Sequence, residues 1–296
     1  MENNNRIEIL KTYKLYIGGK FPRTESGRYY KPMDKKGNIL ANMCVASRKD
    51  FRNSVVAARA AFGGWAGKTA YNRAQILYRI GEMLETRRGQ FEDELTKQGS
   101  SAKEANKEVS LAVDRLIYYA GWCDKYQQVS GSINPVASSH FNFSVPEPTG
   151  VVSAFVDQNT SLIGLVSAIA PIIAGGNTCI VLASTDKPLC AITFAEVLNS
   201  SDVPGGVINI LTGKVSEIIE HTALHKDVNA VVYCGEDKAE LKLLEEKSIS
   251  NLKRIHAYNE DWMKEEAQNM YFITDLQEIK TTWHPIEKIG GSAAGY

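Results

Sequence analysis

The chain has 296 residues, 44% hydrophobic and 23% charged, the balance of an ordinary globular protein with enough apolar material for a core. Lys+Arg and Asp+Glu both number 34, so no global field draws nucleic acid or an anionic membrane. Five scattered cysteines (Cys44, Cys123, Cys179, Cys190, Cys234), with no C-x-x-C and no Cys/His zinc spacing, exclude a disulfide framework and fit a reducing cytoplasm.

The opening MENNNRIEILKTYK is polar, lacks the apolar core of a signal peptide and reads as a loose arm. YKLYIGGKF (13–21) predicts two short strands around a Gly-Gly turn. Three helical stretches follow. Phe51, Val55, Ala58 and Phe62 fall on one face of 50–62. Ile76, Leu77, Ile80, Leu84, Phe91 and Leu95 do so along 70–98, and Val109, Val113, Leu116 and Ile117 along 102–128. Such stripes are core packing. Within 129–149, the alternation in HFNFSV, bounded by prolines, predicts a half-exposed strand.

The rhythm then changes. Short β-rich runs at 150–156, 178–183, 207–211 and 229–233 alternate with helical runs near 161–174, 187–199, 214–224 and 236–247, the pattern of βαβ crossovers on a parallel sheet. The run LIGLVSAIAPIIA (162–174) is too short to span a bilayer and contains a proline, so it predicts a buried helix. NLKRIHA (251–257) offers a fifth strand, 260–268 a charged helical piece and EIKTTWHPI (278–286) a last strand. EKIGGSAAGY (287–296) has the composition of a disordered tail. The expected fold is therefore α/β, a Rossmann-like parallel sheet flanked by helices plus a small β unit. We divide the chain into an N-terminal hairpin and helices (1–128), a strand unit (129–149), βα units (150–258), and a linker helix with a terminal strand (259–296). No internal repeat is present.

Two motifs carry no chemistry. His221 and His225 stand four apart, but HTALH lacks the Glu of H-E-x-x-H and no third ligand is evident, so no metal is expected. LTGKVSE has Gly-Lys without the earlier Gly of a P-loop.

GVVSAFVDQNTSLIGLVSAIAPIIAGGNT (150–178) resembles, without a gap, the "GVVGAISPWNFPL…APALAAGNT" stretch of the aldehyde dehydrogenases. YIGGKF, AARAAFGGWAGKTAYNRAQILYRIGEML, EVSLAVDRLIYYAGWCDKY, PGGVINILTG (204–213) and HKDVNAVVYCG (225–235) are similar to further family phrases in the same order. The resemblance implies a dinucleotide-binding α/β domain, a catalytic domain and a strand unit for oligomerisation. After NLKRIHA the family continues into "LELGGK", whereas this chain reads YNEDWMK. LQEIKTTWHPI is similar to the family's C-terminal "Y.EVKTVW" strand. The layout thus resembles the shortened, nucleophile-less second unit of the double-length family-sixteen enzymes. The expectation is that the catalytic domain, with its G-Q-x-C nucleophile, is absent, the chain stopping at Tyr296 before it could be built.

What the resemblance implies for the site can be followed residue by residue. Asn159 matches the Asn of P-W-N, the oxyanion donor, while Asp157 and Gln158 replace Pro and Trp. Without a matching nucleophile, Asn159 is expected to cap the helix starting near Thr160. Leu182 and Thr185 stand where a Lys and a Glu hold the adenosine ribose, and leucine donates no hydrogen bond. Gly235 persists at the pyrophosphate turn, but Glu236 and Asp237 put carboxylates where phosphate would sit, at a cost of around 1 kcal/mol for a like-charge contact at about 4 Å in water. No cofactor is therefore expected, NAD(P) binding being weak or absent. None of the cysteines has the electropositive, partly exposed setting of a reactive thiolate. The strands near 131–148 and 278–286 remain as edges that can extend a neighbour's sheet, with Phe141, Phe143, Ile279, Thr281 and Trp283 as interface candidates. The leading expectation is a non-catalytic subunit, a pseudoenzyme inactive alone, self-associating or pairing with a complete aldehyde dehydrogenase. One alternative is an NAD(P)-dependent aldehyde oxidoreductase that needs a partner chain. Another is a small-molecule or nucleotide sensor using the cleft near Asn159, Thr185, Gly213 and Gly235.

Overall fold

The computed structural model of the chain describes residues 9–286, so the expected disordered tail and most of the expected loose arm lie outside the described residues. Strands β1 (Thr12–Tyr13), β2 (Tyr29–Tyr30) and β3 (Asn42–Cys44) form a small sheet in the order β1-β3-β2. The Gly18-Gly19 turn closes through an Ile17↔Lys20 bridge, as the sequence predicts, and Tyr16 pairs with Ile210.

Helix α1 (Arg48–Ala66) starts at a capping box in which Ser47 accepts from Asp50 N and Asp50 caps Ser47 in return. Then come α2 (Ala70–Thr86), α3 (Arg88–Lys97), α4 (Ala102–Ala120) and the short α5 (Tyr126–Ser130). Most of the expected stripe is in the core: Phe51, Val55, Ala58, Leu77, Ile80, Leu84, Phe91, Leu95, Val109 and Leu116 are buried, whereas Phe62, Ile76 and Val113 are half-buried and Ile117 is exposed.

Strands β4 (Ser132–Asn134) and β5 (His140–Pro148) lead into the parallel unit: β6 (Val151–Phe155), α6 (Ile163–Ala174), β7 (Thr178–Leu182), α7 (Leu189–Asn199), β8 (Ile208–Leu211), α8 (Val215–Leu224), β9 (Ala230–Tyr233), α9 (Lys238–Ser248) and β10 (Arg254–Ala257). All pairings in this five-stranded sheet are parallel, and its order is β10-β9-β6-β7-β8. The four central and flanking strands β6 to β9 are buried along their whole length, because helices cover both faces. Helix α6 is likewise buried throughout. Among the described residues no helix is long and apolar enough to cross a membrane.

The chain fills β6, β7 and β8 outward in one direction, then returns to place β9 on the other side of β6. The sheet therefore reverses its winding between β6 and β9, where Phe155 pairs with Tyr233.

The charged stretch 260–268 is not helical, contrary to expectation; helix α10 (Tyr271–Thr274) comes later. Residues 260–268 are held as turns by outside partners. The Arg115 guanidinium donates to the Trp262 and Lys264 carbonyls at 3.3 and 2.9 Å, and Trp262 packs on Phe272. Strand β11 (Gln277–Pro285) then pairs antiparallel with β5 over all nine residues, completing a sheet of order β11-β5-β4. The two strand segments expected to form an oligomerisation unit thus pair with each other inside the chain.

Candidate functional site

Beyond Phe155 the chain leaves the sheet through Val156, Asp157, Gln158 and Asn159, and beyond Tyr233 through Cys234, Gly235, Glu236 and Asp237. These two exits, with Val215 of α8 and Glu240 of α9, line an open cleft of about 230 Å³. It lies outside the carboxyl ends of β6 and β9, at the reversal of winding, where open parallel sheets hold their ligands.

The first exit is braced from within. Asp157 accepts from Thr160 N and Oγ1 through Oδ2, both at 2.9 Å, and from Asn159 N and Nδ2 through Oδ1 at 3.0 and 3.1 Å. Gln158 Oε1 accepts from Thr185 N at 2.8 Å. The two residues that depart from the P-W-N pattern therefore hold the loop and tie it to the β7–α7 connection.

Asn159 does not cap α6, which corrects the sequence expectation. Its Nδ2 points across the cleft to Glu236 Oε1 at 3.2 Å. The N-terminus of α6 is satisfied instead by Glu108 of α4, whose Oε1 accepts from Ser161, Leu162 and Ile163 N at 3.1, 2.8 and 3.1 Å. Thr160 Oγ1 accepts from Gly164 N at 3.1 Å. Glu108 wins because a carboxylate oxygen at the positive end of a helix is a stronger acceptor than a neutral amide oxygen.

On the second wall, Asp237 is the N-cap of α9 and accepts from Ala239 N at 2.7 Å. Tyr233 OH donates to Glu240 Oε2 at 2.8 Å, and burial together with that carboxylate pushes the phenol pKa up. A Cβ on Gly235 would lie 2.6 Å from the Tyr233 ring, so only glycine leaves this tyrosine in place. Gly213, with φ at +142°, turns β8 out of the sheet, and its carbonyl accepts from Thr185 Oγ1 at 2.6 Å.

Of the residues singled out from sequence, the structure gathers Asn159, Gly235 and Glu236 in the cleft. Thr185 and Gly213 are joined at the neighbouring strand ends. Leu182 is buried in the core rather than lining the cleft. Tyr233, Glu240 and Val215 line it without being foreseen as site residues; the only signal is their place at the end of a β-rich run or in the helical run that follows one. Of the two adjacent carboxylates, Asp237 is turned onto its own helix and Glu236 toward Asn159.

All five cysteines are buried. Burial pushes each thiol up, the Cys123 thiol to about 12, and at Cys234, the one facing the cleft, nearby Asp157 adds to the effect. Among the described residues no His/Cys/Asp/Glu group could hold a metal ion. The interface candidates divide between two faces of the β11-β5-β4 sheet. Register places Ile279, Thr281 and Trp283 opposite Pro146, Ser144 and Asn142, while Phe141 and Phe143 point to the other face beside Ile133. Ile279 and Trp283 remain 62% and 57% exposed and Phe141 42%, so neither face is fully covered by this chain.

A profile of the aldehyde dehydrogenase family matches residues 21–258. The chain belongs to the aldehyde dehydrogenase family. It is 30% identical over 247 residues to the D-glyceraldehyde dehydrogenase (NADP(+)) of Thermoplasma acidophilum, covering 82% of this chain and 49% of that protein. It is 28% identical over 256 residues to the cytosolic 10-formyltetrahydrofolate dehydrogenase of Mus musculus, covering 84% and 28%. The chain thus spans about half or less of the length of these relatives. Among solved structures, the NAD+ complex of an aldehyde dehydrogenase from Bacillus cereus superposes with a TM-score of 0.79 at 25% identity, over 83% of this chain and 50% of that one. A PnpE structure in complex with nicotinamide adenine dinucleotide does so at 0.79 and 26%, over 83% and 50%.

These likenesses overturn three expectations. A non-catalytic subunit, a pseudoenzyme inactive alone, and weak or absent NAD(P) binding all conflict with a fold shared with dehydrogenases, two of them solved with the dinucleotide. The expectations weighed replaced side chains one at a time. The cleft itself is made by strand order and backbone exits, and these are retained in this aldehyde dehydrogenase-family chain.

Proposed function

We propose that this chain is the dinucleotide-binding part of an NAD(P)-dependent aldehyde oxidoreductase, with a partner chain supplying the nucleophile-bearing unit. The observation that carries the reading is the cleft at the β6/β9 reversal. Its floor of Phe155, Val156 and Val215 suits the flat apolar faces of a nucleotide's rings. Its hydrogen-bonding groups suit the sugar hydroxyls, so the residues present fit the nucleoside portion of a dinucleotide. Bound NAD(P)+ supplies the hydride acceptor. Glu236 and Glu240 would hold it by accepting from its hydroxyls. Asn159, braced by Asp157, carries an amide at the edge of the cleft that would turn from Glu236 to meet the developing negative charge of an aldehyde oxygen on the partner's side.

The buried cysteines, with thiols held in their neutral form, support placing the nucleophile on the partner. Their free state suits a cytoplasmic setting. The division of the chain at 128, 149 and 258 belongs to the same proposal, as does the docking of that partner or of a second copy through Phe141, Phe143, Ile279, Thr281 and Trp283. The arrangement resembles that of the shortened second unit of double-length family members.

The test has two parts. Calorimetry of the isolated chain is expected to show binding of NAD+ or NADP+, and the assembly purified from its native source is expected to reduce the cofactor when an aldehyde is added. An isolated chain that binds neither dinucleotide, or an assembly that contains the chain and yields the same turnover without it, would sink the reading.

A further inference from the structure

We propose that the cavity over the small sheet β1-β3-β2 binds a phosphomonoester that carries an aromatic ring, with Arg23 and Arg28 on the phosphate and Tyr29 on the ring. This site is separate from the β6/β9 cleft and does not rest on the functional reading above. The cavity holds about 360 Å³, within the size range of small-ligand sites. Thr12 of β1 and Asn42 and Cys44 of β3 form its floor, and Arg23 and Arg28 stand beside it. Among the described residues no carboxylate lines it.

One pinned arch, residues 22–28, carries both arginines. Its ends are tied to the residues that follow β1 and β3: the Pro22 carbonyl accepts from Leu15 N at 3.0 Å, and the Arg28 carbonyl from Val45 N at 3.0 Å. Between them Asp50, in the first turn of α1, accepts from Thr24 Oγ1 at 2.7 Å and from Glu25 N at 3.1 Å. Gly27, at φ +67°, turns the chain back with its N–H on the Thr24 carbonyl. The backbone that presents the two guanidiniums is therefore ordered before a ligand arrives, which removes one cost of binding.

The neighbouring acids leave Arg23 uncommitted. Glu25 pairs with Lys49 at 2.9 Å, Asp50 holds the arch, and Glu217 of α8 takes Arg28 at 2.6 Å. Among the described residues no carboxylate lies within ion-pair distance of Arg23. Its positive charge reaches the floor: burial raises the Cys44 thiol pKa, and Arg23 and Lys14 act against that rise. A guanidinium offers phosphate two parallel N–H donors, and the Thr12 hydroxyl and Asn42 amide add neutral ones. Tyr29, 59% exposed, follows Arg28 directly and lines the same cavity, so a planar group joined to the phosphate can pack on its ring. The incoming anion and Glu217 compete for one guanidinium, Arg28.

The experiment is calorimetric titration of the full chain, in phosphate-free buffer at low salt, with phenyl phosphate, inorganic phosphate and phenol. Phenyl phosphate is expected to bind about threefold or more tightly than inorganic phosphate, and phenol not at all. Added salt is expected to weaken both anions. R23Q is expected to weaken phenyl phosphate about tenfold. E217Q, which frees Arg28, is expected to tighten it about threefold. Neither residue lines the β6/β9 cleft, so these opposite shifts place the ligand in the cavity proposed. Three results overturn the proposal: no binding of phenyl phosphate, equal affinity for the two phosphates, or an affinity unmoved by R23Q or by E217Q in chains whose circular dichroism is native. Should R23Q not fold, R23K keeps the charge without the paired donors and is expected to weaken binding about threefold, and an unchanged affinity there counts against the proposal equally.

Discussion

Glu108 and Glu94 are both carboxylates buried on helices, yet they act in opposite senses. Glu108 is stabilised by three backbone donors of the α6 N-terminus. Removing it in Glu108→Ala strands those donors in the core. We expect a loss of about 3 kcal/mol, seen as a thermal midpoint roughly 6–10 °C lower, and about half of that for Glu108→Gln, which keeps one acceptor. Glu94 accepts from Tyr13 OH and Thr193 Oγ1 at 2.7 Å each, but its Oε2 has no partner, and burial raises its pKa above the ordinary 4.5. A carboxyl whose folded pKa is raised contributes stability below the unfolded value and loses it as pH rises through the folded one, because the folded state holds the proton longer. Denaturant midpoints measured from pH 4 upward should therefore show wild type losing stability relative to Glu94→Gln as pH rises above about 4.5. A constant difference would count against a raised pKa.

At the scale of elements, α4 shows what the sequence disclosed and what it hid. Its apolar stripe places the helix correctly, but Glu108 and Arg115 sit on that same buried stripe, beside Val109 and Leu116. A charged residue at a core position signals a tertiary polar partner, without saying which. Here the partners come from α6 and from the segment 262–264, some 50 and 150 residues away in the chain, beyond the reach of local periodicity. Strands β6 to β9 and their helices were legible because buried parallel strands are short, β-branched and bounded by turns. The stretch 260–268 was misread because its charge spacing suits a helix while Arg115 holds its carbonyls outside one. Arg115→Ala should cost about 3 kcal/mol, and hydrogen exchange should rise first in 258–276 while the parallel sheet stays protected. Uniform loss of protection would show that the segment is not a separately held strap.

For the whole molecule, the position of the cleft follows from strand order, which the alternation of β and α runs implies; its chemical character does not. Tyr233 and Glu240 meet seven residues apart through a turn that requires Gly235, and Glu236 reaches Asn159 across 77 residues. Those pairings decide whether carboxylates face a ligand or each other, and a linear reading saw only that they were acidic. The β11-β5-β4 sheet raises the question of assembly. Both faces expose apolar side chains, and Ile279 and Trp283 are the most exposed of the apolar interface candidates. I279K/W283K is expected to lower the native mass by light scattering, weakening association by about 2–4 kcal/mol, with unchanged circular dichroism. An unchanged mass would place any interface elsewhere, and F141K tests the opposite face in the same way.

The ribbon also constrains how the protein is made. Ser144 and Thr281 share a hydrogen bond although 137 residues separate them. At about 5–20 residues per second, a ribosome takes roughly 7–27 s to deliver the second after the first. Throughout that interval Phe141 and Phe143 sit on a nascent strand whose long partner has not yet been synthesised, an adhesive edge that a chaperone or an already finished subunit must shield.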